Sequence, residues 1–449
     1  MRHASRWISL ILTLLILVTA TGCGSTNQAS ASSTPAPAAQ QEEPASPTAQ
    51  TTSSTVVDNR KNKSSGTTAS FSDEDFTKHE YLFENSIGDS LYFVVVTNNS
   101  DAIVSISGNA TAKDASGTPI GAGNMSIDVL GPGETSIDYF YFDSVKNIAS
   151  VDYQLSYSPA KYYQPVIGNL AVQQILNDKN VTVTVTNEGD INAQFVEAHA
   201  LFFDAAGNVI AHSSNYVTDN DSEIKPGATI SAQLDIYGKD YDHAEVYFTG
   251  RSDGKSTPVT ESKVSDADFE IVEKPFENSL GDTLWYLIVT NNSEYDVGFS
   301  ANATAYDAGG NIIGADDASI DVIGAGQTSI CYFYFDSVPG IDHVEYTRSY
   351  DTESSYYSDV LHNLSSQITI NDQNVIVSVT NNGSEEAEFV QAYALFLDGQ
   401  GNIVAQDSTY VTDDDSEIKP GATITKQLTV YGKTFDTVEV YFTGRHSSW

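Results

Sequence analysis

Apolar and polar residues alternate with a period of two along much of the chain. In the run VTVTVT at 181–186, the valines fall on one side and the threonines on the other, as in a strand with one buried face. Such runs are short, and turn-forming sequences that supply glycine for positive φ separate them. The clearest turns are DAAGN at 204–208, DAGGN at 307–311 and the Pro-Gly pairs at 132–133, 226–227 and 420–421. With no convincing helical stretch, the sequence predicts an all-β protein.

The folded part is an internal duplication. FENSIGDSLYFVVVTNNS at 83–100 returns as FENSLGDTLWYLIVTNNS at 276–293. Each copy is itself double, because VVTNNSD at 95–101 has a fainter counterpart in VTVTNEGD at 183–190. We therefore predict four tandem immunoglobulin-like β-sandwich modules in the order A-B-A-B. The predicted boundaries are 75–165 for A1, 166–251 for B1, 252–268 for a polar linker, 269–359 for A2 and 360–449 for B2.

The B modules carry a more specific pattern. The segment HALFFDAAGNVI at 199–210 is followed by IKPGATI, and module B2 has YALFLD at 393–398. An aliphatic-aromatic-Asp strand that enters a D-x-x-G hairpin resembles the FxLYD family of bacterial surface modules, although Leu397 stands where that family has tyrosine. In the A modules, Tyr306 and Asp307 fit this pattern, whereas Lys113 and Asp114 do not. The resemblance implies a β-sandwich fold in an accessory module without agreed chemistry.

The N-terminus has the pattern of an export signal. An apolar stretch at 8–18 follows a basic start, and small residues lead to Cys23. This arrangement resembles the lipobox of bacterial lipoproteins, which implies that residues 1–22 are removed and that Cys23 carries a diacylglycerol. A plain secretory signal and an uncleaved membrane anchor are the alternatives. Residues 23–74, rich in Ser, Thr, Ala and Pro, are then predicted to be a disordered tether with a root-mean-square span of about 40 Å.

The charge of the chain limits its partners. The formal net charge is −39, so the surface repels phosphate backbones and we expect no nucleic-acid partner. The same charge disfavours flat docking onto anionic lipid headgroups. The lipobox resemblance implies a membrane as partner, reached through the lipid on Cys23 and contacted from its extracytoplasmic face. A protein or a glycan is the other expected partner.

Two acidic runs are candidate metal sites. DNDSE at 219–223 returns as DDDSE at 413–417, and alternating oxygen ligands in a loop suit calcium. The candidate ligands for weak calcium binding are Asp219, Asp221, Glu223, Asp413, Asp415 and Glu417. An EF-hand would need glycine at the sixth position, where Ile224 and Ile418 stand, so a solvated acidic hairpin is the alternative. No other cofactor is expected.

Tyrosines at the A-to-B junctions are candidate ligand contacts. Tyr162 and Tyr163 recur as Tyr356 and Tyr357. Exposed tyrosines stack on sugar rings or form protein contacts, whereas buried ones would only hold module A against module B. Both interpretations stay open at the level of the sequence.

Catalysis is not expected. No position is histidine in both copies, which excludes a duplicated active site with a catalytic histidine. Cys331 aligns with Asp138, a position that tolerates a charge, so a catalytic thiol is not expected there. The favoured hypothesis is a lipid-anchored, non-enzymatic surface protein whose modules bind a protein or a glycan. A carbohydrate- or substrate-capturing lipoprotein that uses the tyrosines is the alternative, and an envelope-assembly factor is a third hypothesis.

Overall fold

The computed structural model describes residues 71–219, 222–256, 263–352 and 356–447. The predicted signal, Cys23, most of the predicted tether and Asp221 lie outside these ranges. Within them, regular structure consists of β-strands and four three-residue 3-10 helices at Asp73–Asp75, Ile167–Asn169, Asp266–Asp268 and Leu361–Asn363. The predicted all-β fold class is confirmed. None of the described segments forms a helix with the length and apolarity that crossing a bilayer requires.

The described residues of the first half form thirteen strands. Module A1 has β1 (Phe76–Glu84), β2 (Ser90–Asn98), β3 (Val104–Lys113), β4 (Pro119–Leu130), β5 (Thr135–Phe142) and β6 (Ser150–Pro159). Module B1 has β7 (Leu170–Leu176), β8 (Asn180–Asn187), β9 (Ala193–Phe203), β10 (Val209–Tyr216), β11 (Glu223–Ile224), β12 (Thr229–Asp235) and β13 (His243–Arg251).

The second half repeats this order with one additional short strand. Module A2 has β14 (Phe269–Glu277), β15 (Thr283–Asn291), β16 (Val297–Tyr306), β17 (Ile312–Ile323), β18 (Thr328–Phe335) and β19 (His343–Asp351). Module B2 has β20 (Tyr357–Ser358), β21 (Leu364–Asn371), β22 (Asn374–Asn381), β23 (Ala387–Leu397), β24 (Ile403–Tyr410), β25 (Glu417–Ile418), β26 (Thr423–Thr429) and β27 (Thr437–Ser447).

Each module is a sandwich of two small antiparallel sheets. In A1 the strand orders are β1-β2-β5 and β4-β3-β6, and A2 repeats them as β14-β15-β18 and β17-β16-β19. B1 has β7-β8-β12 facing β10-β9-β13, with β11 paired to β9. B2 repeats this arrangement, with β20 added beside β27.

One buried asparagine at the end of the second long strand is common to all four modules. Asn98 donates from Nδ2 to the carbonyls of Ala102 and Leu130, at 2.9 and 3.0 Å. The equivalent amides of Asn187, Asn291 and Asn381 each bridge a following loop and the end of a neighbouring strand in the same way. Unpaired buried carbonyls are costly, so this amide fixes the loop in every module. It explains why the Val-Thr-Asn signature survives in A and B modules alike.

The modules pack in A–B pairs, because one sheet of each A module is buried on both faces. Along β2, Val94 and Val96 enter the core of A1, whereas Phe93 and Val95 pack against Leu201 and other residues of B1. The second pair repeats this interface with Leu284, Tyr286, Ile288, Ile330, Leu395 and Leu397. A strand buried on both faces needs a continuous apolar run, which is what LYFVVV and LWYLIV provide.

The joint between B1 and A2 is polar instead. Strand β12 of B1 lies against β16 and β17 of A2. Three hydrogen bonds of this joint involve Ser231: Ser231 N to Asn302 Oδ1 (2.9 Å), Asn302 Nδ2 to Ser231 O (2.8 Å) and Thr304 Oγ1 to Ser231 Oγ (3.0 Å). Two others run from Ala315 N to Gln233 Oε1 (3.3 Å) and from Tyr237 OH to Asp336 Oδ2 (2.8 Å). The described part of the chain therefore consists of two A–B pairs with apolar interfaces, joined by a hydrogen-bonded B1–A2 contact.

The ends of the modules differ slightly from the predicted boundaries. Phe71 packs against the core of A1, and Asp73 accepts a hydrogen bond from Tyr157 at 2.7 Å, so ordered structure begins before residue 75. At the predicted linker, Ser252 pairs with Gln164, next to the predicted end of A1, and Val264 is buried in the core of A2.

Candidate binding clefts between paired modules

A cleft lies beside the apolar interface in each A–B pair. The cleft of the second pair has a volume of about 540 Å³ and that of the first about 320 Å³. In the second pair, β17 and β18 of A2 form one wall, and β23 and β27 of B2 form the other. These volumes lie in the range of small-ligand sites, and their recurrence makes the clefts the candidate functional sites.

The two clefts share their polar and aromatic lining. The common positions are Ser126/Ser319, Asp128/Asp321, Tyr139/Tyr332, Phe195/Phe389, Tyr216/Tyr410 and Arg251/Arg445. Tyr216 and Tyr410 stand at the mouth, 55% and 53% exposed. Their ring faces are therefore available to a ligand.

A strained phenylalanine marks the same place in both clefts. Phe195 and Phe389 have φ of 51° and 50°, in the left-handed region that bulky side chains rarely occupy. Each residue lies at an irregularity where β9 or β23 changes register against its neighbour. Both side chains remain nearly half exposed. Strain retained at equivalent positions is typical of functional sites.

The acidic hairpins hold these phenylalanines. Phe195 N donates to Ser222 O and Phe389 N to Ser416 O, both at 2.9 Å. Ser222 and Ser416 are themselves left-handed, with φ of 62° and 67°. The backbone of one serine in each acidic run therefore supports the phenylalanine of its cleft.

An arginine joins the predicted junction tyrosines to the cleft. The Arg251 guanidinium lies 4.4 Å from the ring of Tyr163 and 4.7 Å from that of Phe195, and it pairs with Asp128. Arg445 repeats this arrangement with Tyr357, Phe389 and Asp321, at 4.2 and 4.7 Å from the two rings. Each guanidinium thus contacts two aromatic rings and holds both in place.

The junction tyrosines divide into two kinds. The rings of Tyr163 and Tyr357 stack on the guanidinium groups of Arg251 and Arg445. Tyr162 and Tyr356, in contrast, are 84% and 60% exposed. Contact of Tyr162 and Tyr356 with a ligand stays a prediction.

Two histidines distinguish the first cleft. His199 lines it, and its Nδ1 lies 3.2 Å from Nε2 of His212, which packs 4.7 Å from the Phe93 ring of A1. Burial and the proximity of His199 lower the pKa of His212 to about 3. Although burial opposes it, the hydrogen bond and charge of His199 hold the pKa of Glu197 below its usual value. Tyr393, Gln406 and Gln391 occupy these positions in the second pair.

The second cleft is distinguished by Cys331 and Asp316. Burial raises the pKa of the Cys331 thiol to about 12, so the thiol is protonated at neutral pH and is not a nucleophilic thiolate. Burial, followed by repulsion from Asp317 and Asp235, raises the pKa of Asp316 to about 7. The two clefts thus differ in their titratable side chains, although they share the arginine, phenylalanine and aspartate positions given above.

The second acidic hairpin already contains a cation. Carboxylate oxygens of Asp413, Asp415 and Glu417 lie within 4.8 Å of one another. Lys419 Nζ pairs with all three, at 3.9, 3.3 and 3.2 Å. A calcium ion would have to displace this ammonium group.

In the first acidic hairpin, the equivalent lysine also lies close to a predicted ligand. Asp219 Oδ2 lies 3.5 Å from Lys225 Nζ, and the buried Glu223 accepts a hydrogen bond from Asn192 at 2.7 Å. The third predicted ligand, Asp221, is outside the described residues. Among the described residues of this hairpin, Asp219 is thus next to a lysine and Glu223 next to an asparagine.

The sequence did not reveal three residues that recur in both clefts: an arginine (Arg251/Arg445), a phenylalanine (Phe195/Phe389) and an aspartate (Asp128/Asp321). A signal was present, because VYFTGR recurs at 246–251 and 440–445 and the Phe-Val pair recurs at 195–196 and 389–390. Recurrence alone does not separate cleft residues from core residues. The face-to-face pairing of A with B had to be known first.

No protein-family model matches the chain, and no curated protein matches its sequence. Among solved structures, the chain is similar to the crystal structure of red sea bream transglutaminase, at 13% sequence identity and a TM-score of 0.14. The match covers 54% of this chain and 38% of the transglutaminase chain, so it spans well under half the length of that protein. At this identity and TM-score, the likeness has no implication for activity.

Proposed function

We propose that this chain is a lipid-anchored, non-enzymatic binding protein on the extracytoplasmic face of a membrane, and that each A–B pair binds a glycan in its cleft. The observation that carries the proposal is the recurrence, in both pairs, of an exposed tyrosine beside an arginine-aspartate pair and a strained phenylalanine. Two such clefts in one chain increase avidity for a repeating ligand.

A glycan suits this lining better than an apolar ligand. The exposed rings of Tyr216 and Tyr410 offer flat faces to sugar rings. The carboxylates of Asp128 and Asp321 and the hydroxyls of Ser126 and Ser319 offer hydrogen bonds to sugar hydroxyls. The proposal of a non-enzymatic protein is supported by the lack of a shared histidine or thiol in the two clefts. His199 aligns with Tyr393 of the second copy, and Cys331 aligns with Asp138 of the first.

Substitution of the cleft tyrosines tests the proposed ligand. In a glycan array probed with residues 71–449, Tyr216→Ala and Tyr410→Ala should each weaken binding about 2- to 10-fold, the loss of one stacking contact. The double variant should lose the added avidity of two sites as well. Tyr295→Ala, an exposed tyrosine outside the clefts, is the matched control. Equal binding by all variants, or capture of envelope proteins without any glycan, would overturn the glycan proposal.

The anchor is tested separately. Cys23→Ala should release the protein from the membrane fraction or leave an uncleaved precursor, because the thiol is the only atom to which the diacylglycerol attaches. Fractionation of membranes and electrophoretic mobility measure both outcomes. A variant that fractionates and migrates like the unaltered protein would contradict the lipoprotein proposal while leaving the clefts untouched.

A further inference from the structure

The polar B1–A2 joint has an unpaired counterpart at each end of the described structure. Gln233 of B1 is 7% exposed and Ala315 of A2 is 3% exposed, because each covers the other. Their equivalents, Gln427 of B2 and Ala122 of A1, are both exposed. The face that B1 presents to A2 thus recurs on B2, and the face that A2 presents to B1 recurs on A1.

The counterparts keep the groups that make the joint. On B2, the residues equivalent to Asn177, Asn180, Gln233 and Tyr237 are Asn371, Asn374, Gln427 and Tyr431. On A1, the residues equivalent to Asn302, Thr304, Ala315 and Asp336 are Asn109, Thr111, Ala122 and Asp143. Ser231 is replaced by Thr425, which keeps the hydroxyl.

The side chains on B2 already have the geometry they need. Asn177 donates to Asn180 Oδ1 at 2.8 Å, and Asn371 donates to Asn374 Oδ1 at 2.7 Å. Gln233 donates to the residue two positions on in β12, and Gln427 does the same in β26. Tyr237 reaches Asp336 across the joint, while the ring of Tyr431 is 83% exposed. The hydrogen-bonded side chains of Asn371 and Gln427 would therefore lose little conformational freedom on docking.

We propose that module B2 of one chain docks on module A1 of a second copy through the contact that B1 makes with A2, so that chains associate head to tail. Such a contact is heterologous and leaves one free face at each end, which permits chains longer than two. A lipid anchor would hold copies at high local concentration and favour a contact that is weak in dilute solution.

The contact between copies lacks part of the local carboxylate repulsion that the internal joint contains. The internal joint places Asp235 near Asp336 and Asp316, and burial followed by the Asp336 charge raises the pKa of Asp235 to about 6. In the contact between copies, Thr429 replaces Asp235 and Gly123 replaces Asp316. The repulsion between carboxylates is therefore reduced, while the hydrogen-bonding groups are kept.

Cysteine trapping tests the contact in the full-length chain. Thr304 Oγ1 and Ser231 Oγ lie 3.0 Å apart in the internal joint, so Thr111→Cys and Thr425→Cys place two thiols at the equivalent positions of two chains. The two variants are made with different tags, mixed, and treated with oxidant or a short bismaleimide. We expect a cross-linked dimer that carries both tags, in about tenfold higher yield than with Ser86→Cys and Gln400→Cys, which are exposed elsewhere on A1 and B2.

Three controls make each outcome decisive. Ser231→Cys with Thr304→Cys in one chain should give an internal cross-link, which shows that the chemistry works at this geometry. Ala122→Arg should abolish the dimer without altering folding, because Ala122 is exposed and its A2 equivalent is buried by B1. Dimers formed by Thr111→Cys alone, or no mixed dimer while the internal control forms, would overturn the proposal.

Discussion

A fragment of residues 263–447 should unfold in one cooperative transition, whereas module A2 alone, residues 263–359, should not fold cooperatively. Alone, A2 would expose Leu284, Tyr286, Ile288 and Ile330, which are at most 6% exposed in the pair. At roughly 1.5–3 kcal/mol for each side chain, this loss is about 6–12 kcal/mol, an upper estimate. It is as large as the whole stability of a typical domain, about 5–15 kcal/mol.

Fluorescence in urea measures this result, because Trp285 is the only tryptophan in either fragment. Ile330→Asp, which puts a charge in the apolar interface, should reduce the midpoint of the pair strongly. Thr328→Asp lies on the same strand at an exposed position and should leave the midpoint nearly unchanged. If A2 alone melts cooperatively at the midpoint of the pair, the A–B interface does not stabilise the fold and the four modules are independent.

Strands and turns could be predicted from the sequence because their determinants are local. The alternation in VTVTVT specifies a strand with two different faces, and Asp-Ala-Ala-Gly specifies the hairpin that follows β9. The pairing of modules depends on side chains that are far apart in the sequence. Its one local sign was the continuous run LYFVVV, which a strand with one solvated face would not need.

The cleft could be predicted only in part, for the same reason. The sequence shows the junction tyrosines as candidate ligand contacts. It does not show that the ring of Tyr163 is covered by the guanidinium of Arg251, which is distant in the chain. The positive φ of Phe195 has no signature in composition, because no glycine or asparagine marks it. The acidic runs are visible in the sequence as candidate calcium sites, yet the contacts of the second run depend on Lys419 and on the backbone of Ser416, which only the folded hairpin brings together.

The two pairs also differ in how they respond to protons, since natural differences between the copies fall at the A–B interface. In the second half, the raised pKa of Asp316 means that the folded state binds a proton more readily than the unfolded chain does. Its contribution to stability therefore grows as the pH falls from about 7 towards 4. In the first half, Glu197 and His212 have lowered pKa values and act in the opposite direction, while the raised pKa of Asp138 acts in the same direction as Asp316.

Lowering the pH from 7 to 5 should therefore destabilise the first pair, residues 71–256, by about 2 kcal/mol through His212. Folding lowers the pKa of His212 from its ordinary 6.5 to about 3, so below pH 6.5 the unfolded chain binds more protons and unfolding becomes easier. The double variant His199→Tyr with His212→Gln installs the side chains of the second pair and should remove most of this pH dependence. Urea unfolding at pH 7 and pH 5 measures the loss of stability in both proteins. An undiminished loss in the double variant would assign the effect to other groups and leave the histidine pair as a neutral part of the interface.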